Sequence, residues 1–275
     1  MSNNAFPDPM NVNVVSPDPL PVTAVTNWEL EVAAGRVPGF SAIHKFGRNP
    51  DIDTVSGFSD LWNDFLSVGH YTGFDATVAE IVEVFSSSAA DTLAGTGART
   101  VQLIGQGAGN VEQTEIINLN GTTPVNTNLS YLRLDRAIVL TGGSGGENVG
   151  TISGRQSVTT ANAFFHIPIG ANRTTICCLT IPANKVGYVR SAFATLAKKG
   201  NAGVEPRALV RFPGGVFQVV EWLAISGSGS SYIDRQFNIP LIPVPAGTDI
   251  KLQADTDTNN IGVAGGIELI LEDIT

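Results

Sequence analysis

The chain has 275 residues, of which 43% are hydrophobic; it is long enough for a sizeable core and too apolar to remain disordered. Charged residues make up 15%, against ~25% in an average globular protein, while 30 Gly and 15 Pro supply many turns. The net charge of −9 argues against a surface built to neutralise phosphates, and the only two cysteines, adjacent Cys177 and Cys178, exclude a long-range disulfide framework.

Residues 1–27 carry Pro7, Pro9, Pro17, Pro19 and Pro21, with Pro-Asp-Pro occurring twice. Proline fixes φ and biases its predecessor to extended backbone, so this stretch reads as an extended Pro-rich arm. Its apolar Phe6, Val12, Val14, Val15, Leu20 and Val22 suit docking on a neighbour. No basic leader followed by an apolar run is present, nor any stretch of ~18 apolar residues, so neither a standard export signal nor a membrane span is expected.

A short helix is expected over Asn27–Ala34, between a capping Asn27 and Gly35, and a second helical turn from Ser59. Between them, residues 37–51 are dense in turn formers and apolar side chains, and His44–Asp53 reads as a docking loop.

Beyond residue 76 the chain becomes short β-type runs separated by Gly, Asn, Ser and Thr, the pattern of sandwiches and barrels. A first group is expected at 81–85, 100–104, 115–119 and 132–140, with Asn120-Gly121 as a hairpin turn and Gly142–Gly146 as a flexible loop. A second group of eight, at 163–167, 174–181, 187–197, 207–212, 217–225, 233–239, 249–254 and 267–271, suits two packed sheets, as in a jelly roll. The fold class is therefore all-β, with β-sandwich or jelly-roll-like domains behind the arm. The expected division is an arm and docking segment at 1–70, a small β domain at 71–158 and a β-sandwich at 159–275.

Chemistry is poorly represented. His44, His70 and His166 sit in separate segments, and none has the spacing of a metal pair. Cys177 and Cys178 fall on opposite faces of a strand, with one expected to be buried. Asp255-Thr256-Asp257-Thr258-Asn259 opens like a calcium loop, but Asn260 stands where that loop needs Gly and Gly266 where it needs Glu. The Gly105–Gly109 stretch leads into another β-type segment instead of a helix that could meet a phosphate. No acid, base and nucleophile converge in the sequence, so no catalytic, cofactor or metal residue is assigned.

Several ordered phrases resemble structural proteins of tailed bacteriophages. They are Val37-Pro38-Gly39-Phe40-Ser41-Ala42-Ile43-His44-Lys45-Phe46-Gly47-Arg48-Asn49-Pro50-Asp51-Ile52-Asp53-Thr54, Ser86–Thr92, Gly95–Val101, Leu119–Val125, Gly142–Gly150 and Pro213–Phe217. The resemblance implies a non-enzymatic virion component, assembled in many copies in the host bacterial cytoplasm. The first expectation is a capsid decoration or cement subunit, a homotrimer bound to the major capsid protein or neighbouring virion proteins, touching neither nucleic acid nor membrane and needing no cofactor. The second is a tail-side or head-fibre receptor-binding module, for which Trp222 and Tyr232 are the plausible sugar-facing aromatics. Interface residues are expected at Trp28, Phe40, Phe46 and Trp62 as aromatic anchors, with Arg36, Lys45 and Arg48 pairing with acidic groups of the shell.

Overall fold

The structure is a computed structural model that describes residues 28–62, 71–196, 202–226, 232–237 and 243–274. The Pro-rich arm and His70 lie outside the described residues. Among the described residues one α-helix, α1 (Trp28–Ala33), precedes β1 (Phe40–Ile52) and β2 (Ser59–Asp60). There follow β3 (Glu80–Ser86), β4 (Ala98–Gln106), β5 (Glu112–Asn118), β6 (Val125–Tyr131), β7 (Arg133–Gly142), β8 (Ile152–Gln156) and β9 (Ala163–Ile167). The last group is β10 (Cys178–Thr180), β11 (Lys185–Leu196), β12 (Gly203–Arg211), β13 (Gln218–Trp222), β14 (Ile225–Ser226), β15 (Tyr232–Gln236), β16 (Asp249–Thr256) and β17 (Ile261–Asp273).

The protein is all-β, as its punctuated runs predict. Two antiparallel sheets, β6-β3-β8-β9 and β5-β4-β7, enclose a core of Val82, Val84, Val101, Leu103, Tyr131, Ile152, Phe165 and neighbours. Two larger sheets, β1-β17-β11-β15 and β10-β16-β12-β13 with β2 and β14 attached, enclose a second core that runs from Ile52 and Leu61 to Leu271. The second core therefore takes residues from both ends of the described chain. The small sandwich of β3–β9 is inserted between β2 and β10 of the larger one. The residue 158/159 boundary falls between β8 and β9, which are paired through Ile152↔Ile167 and Ser153↔His166.

The helix at 28–33 forms as expected, closed by Gly35 N–H to Val32 O at 2.9 Å and Arg36 N–H to Glu31 O at 2.9 Å. Three other expectations are corrected. His44–Asp53 is no loop: all of it but Asp53 belongs to β1, whose register on β17 runs from Phe40↔Glu272 to Asn49↔Val263 and resumes at Ile52↔Ile261. The helical turn at Ser59 is instead β2, paired to β16 through Ser59↔Ala254, because the larger sandwich needs an edge there more than an isolated turn needs its cap. Asn120-Gly121 does form a turn, with Thr123 N–H to Asn120 O at 3.2 Å, but it carries the chain from one sheet of the small sandwich to the other instead of closing a hairpin.

Candidate functional site

Much of the buried charge among the described residues gathers where the two sandwiches meet. Asp249 on β16 is nearly inaccessible, and its carboxylate accepts from Arg133 Nε of β7 at 3.2 Å, from the Arg211 guanidinium of β12, with Nε at 2.9 Å, and from Thr180 Oγ1 at 2.5 Å. Arg133 belongs to the small sandwich and Arg211 to the large one, so a single carboxylate ties the two. Each arginine also holds the connector between them: Arg133 Nη1 donates to Ala76 O at 2.8 Å and Arg211 Nη2 to Phe74 O at 2.9 Å. Both guanidiniums lie over the Phe74 ring, at 5.7 and 5.6 Å from its centroid.

A second tie uses Lys45 on β1. Its ammonium donates to the backbone carbonyl of Asp135 on β7, and Gln106 Nε2 bridges Asp135 Oδ2 at 3.2 Å and Thr180 O at 2.6 Å. Burial pushes the Lys45 ammonium below its ordinary range, partly offset by the attraction of Asp135. The Asp135 carboxyl is raised by burial and held back by Lys45. A third tie is Asp60, which takes the Lys251 ammonium at 2.9 Å and the Tyr71 N–H at 2.7 Å. Around these groups sits a small aromatic core of Trp62, Tyr71, Phe74, Ile176 and Cys178.

The seven expected interface residues separate into two sets. Trp62 is buried, edge-on to Tyr71 at 5.3 Å and beside His166 at 5.4 Å, and Lys45 is buried at the joint. Their contacts are internal, so docking roles for these two are corrected: an ammonium enclosed by its own chain has no reach to a shell carboxylate. The others face outward. Trp28 packs edge-on against Phe40 at 5.3 Å while remaining 42% exposed. Arg36 makes a bidentate pair with Glu31 at 2.6 and 2.8 Å, Phe46 lies under the Arg173 guanidinium at 5.9 Å, and Arg48 is exposed. The joint residues Asp60, Arg133, Asp135, Arg211 and Asp249 were not foreseen, because each sits singly in its segment and acquires its partner only through tertiary pairing; the preponderance of 11 Arg over 5 Lys is the one signal that pointed to paired carboxylates.

Cys177 faces the large core and Cys178 the aromatic one, so both are buried, not one. Burial pushes the Cys177 thiol up to about 12, and that of Cys178 well above the ordinary range. Ser153 Oγ lies 2.8 Å from His166 Nδ1, but the two are directly opposed on β8 and β9, the ordinary distance of a cross-strand pair. The Asp255–Asn259 run begins as the end of β16 and continues into the bend before β17, with Asp257 Oδ1 accepting from Gly203 N–H of β12 at 2.8 Å and from Thr258 Oγ1 at 2.9 Å. Among the described residues, no group of three His, Cys, Asp or Glu side chains is placed to hold a metal ion, and no helix is long and apolar enough to cross a membrane.

No protein-family model and no curated protein matches the chain. Among solved structures, the VP2 subviral particle of infectious bursal disease virus aligns at TM-score 0.24 and 10% identity, over 86% of this chain and 72% of its own. The Gx strain of the same virus aligns at 0.23 and 10%, over 86% and 76%. At those scores the fold rests on the strand pairing described above, not on the likeness.

Proposed function

We propose that the chain is a non-enzymatic structural protein of a virion, a capsid decoration or cement subunit of the tailed-phage kind its phrases resemble. The observation that carries this reading is the convergence of those phrases in space. Asp91, in the Ser86–Thr92 phrase, is fully buried and accepts from Ala98 N–H at 2.8 Å, Val149 N–H at 2.9 Å, Gly150 N–H at 2.8 Å and Ser86 Oγ at 2.6 Å. The Gly121 N–H donates to Asp91 O at 2.8 Å. Four separated phrases are thus one architectural knot, which is what a scaffold needs and what a reaction centre does not.

In this reading the arm and the outward set of Trp28, Arg36, Phe40, Phe46 and Arg48 contact the major capsid protein or neighbouring virion proteins, and the subunit assembles as a trimer in the host cytoplasm. Deleting residues 1–27 is expected to abolish incorporation into particles while the purified protein keeps its β-rich circular dichroism spectrum. Full occupancy by the deleted chain overturns the docking role of the arm.

A second reading is a tail-side or head-fibre receptor-binding module. It is favoured by Trp222, 52% exposed on the edge strand β13, with Phe58 edge-on at 5.3 Å and Arg207 stacked over Phe58 at 3.4 Å. Exposed aromatics with polar neighbours suit a sugar face. Copy number in purified virions separates the two: hundreds of copies per particle support the shell, and a few dozen or fewer support the tail or fibre.

A further inference from the structure

A cleft of about 340 Å³ opens beside the joint, between β1 of the large sandwich and β4 and β7 of the small one. Its walls are apolar at Ile43, Ile104, Leu179 and Pro182, and basic at Arg136 and Arg173. Strand pairing assembles them: Ile104 of β4 lies directly opposite Arg136 of β7, and Arg173 bridges to Ile138, two residues from Arg136 on the same face of that strand. Arg136 Nη2 donates to the His44 carbonyl at 3.0 Å, and the Arg173 guanidinium lies over the Phe46 ring at 5.9 Å. Arg36, Arg133, Arg155, Arg190 and Arg211 each meet a carboxylate. Among the described residues neither cleft arginine does, although the chain carries a net charge of −9. Burial and the neighbouring Arg173 both push the Arg136 guanidinium below its ordinary range, against the pull of Asp135, so the two cations lie close enough to repel. The acids of the cleft are already engaged: Glu112 meets Lys185 at 3.6 Å, and the Asp135 carboxylate accepts from Gln106 Nε2 at 3.2 Å and Thr180 N–H at 3.3 Å.

Two neighbouring guanidiniums without a counter-charge, set beside an aliphatic wall, match one ligand chemistry: an anion with an apolar body. A guanidinium holds a carboxylate through two parallel N–H···O bonds. Among the described residues Arg136 has engaged one of its five N–H donors and Arg173 none. An inorganic anion would leave the aliphatic wall unused, and a neutral apolar molecule would leave the charges unmatched. A protein surface fits worse, because it would have to desolvate the ion pairs at the rim, His44 with Glu268 at 3.5 Å and Glu112 with Lys185 at 3.6 Å. The volume falls at the lower end of the ~300–1,000 Å³ of small-molecule sites. We propose that the cleft binds a small organic carboxylate, its charged end between Arg136 and Arg173 and its apolar body against Ile43, Ile104 and Leu179. Arg136 and Ile104 belong to the small sandwich, Ile43 and Leu179 to the large one, so the bound acid adds a further tie across the joint. The inference does not depend on the virion reading.

The test titrates the full chain with phenylacetate, phenylacetamide, acetate and inorganic phosphate, reading isotope-labelled Ile and Leu methyl groups by NMR. A ligand of this size is expected to bind with a millimolar dissociation constant, shifting the Ile43, Ile104 and Leu179 methyl signals together. Phenylacetamide keeps the body and removes the charge, and should bind at least tenfold more weakly; acetate and phosphate keep a charge without the body and should do the same. Arg173→Gln should weaken phenylacetate about tenfold, while Arg235→Gln, at an arginine that lies over Phe237 on β15, leaves it unchanged. Arg173 is exposed and its side chain touches only Phe46 among the described residues, so its variant keeps the fold; the phenylacetamide comparison needs no variant at all. Each of five results overturns the proposal: no saturable binding by tens of millimolar, equal affinity for phenylacetamide, equal affinity for acetate or phosphate, affinity indifferent to Arg173→Gln, or shifts confined to methyl groups away from the cleft.

Discussion

Asp91 shows how much one side chain can organise. Its two carboxylate oxygens satisfy three backbone N–H groups and one hydroxyl, drawn from Ser86, Ala98 and the adjacent Val149 and Gly150. The sequence marks this residue only as one Asp in a Ser- and Ala-rich run, since its donors lie up to 59 positions away. Replacing it with Asn keeps the volume but turns one acceptor into a donor facing N–H groups. At ~1–3 kcal/mol for each buried group left without a partner, Asp91→Asn is expected to lower unfolding free energy in urea by several kcal/mol. A loss below ~1 kcal/mol, the scale of a solvent-compensated hydrogen bond, defeats the view that Asp91 is the organiser of this knot.

At the scale of elements, legibility followed hydrophobic alternation. β17 was readable in part because Ile267, Leu269 and Leu271 point into the core while Glu268 points out. β1 was not, because its inward positions are Lys45, Gly47 and Asn49 while Phe46 and Arg48 take the other face, so the apolar pattern marks the wrong side. Gly47 has no room for a side chain, since a Cβ there would lie 1.9 Å from the Leu61 carbonyl oxygen. β6 was missed for a related reason: Thr127 is buried, and its hydroxyl, not a backbone carbonyl, receives the Val82 N–H at 2.9 Å. The Gly142–Gly146 stretch was read as a flexible loop, yet it is pinned by Gly143 N–H to Gly97 O at 2.7 Å and Gly145 N–H to Thr96 O at 2.9 Å. Glycine is needed there for close approach: a Cβ on Gly143 would sit 2.2 Å from the Gly95 carbonyl oxygen. Gly143→Ala is accordingly expected to cost roughly 1–3 kcal/mol by overpacking, with Ser144→Ala neutral in the same thermal melt. Equal melting of the two variants returns the loop to a merely flexible link.

For the whole molecule, the low charge content takes on a specific meaning, because much of the buried charge lies at the joint between two cores that share no strand. Each sandwich has apolar residues enough to melt as a unit, and what couples them is the aromatic patch plus the ties through Asp135 and Asp249. Asp249 is the most exposed to a single change in chemistry, since it alone faces arginines from both sandwiches. Removing one partner of a buried ionic group costs roughly 3–5 kcal/mol, because the remaining charge stays desolvated. In Asp249→Asn part of that loss falls on the Arg133 contact between the units and the rest on Arg211 and Thr180 of the large sandwich. Scanning calorimetry of the unaltered protein should therefore give one transition with matching calorimetric and van't Hoff enthalpies, and Asp249→Asn should give two. A variant that still melts in one matched step, at whatever temperature, means that the aromatic patch alone couples the sandwiches and that the buried charges only set their register.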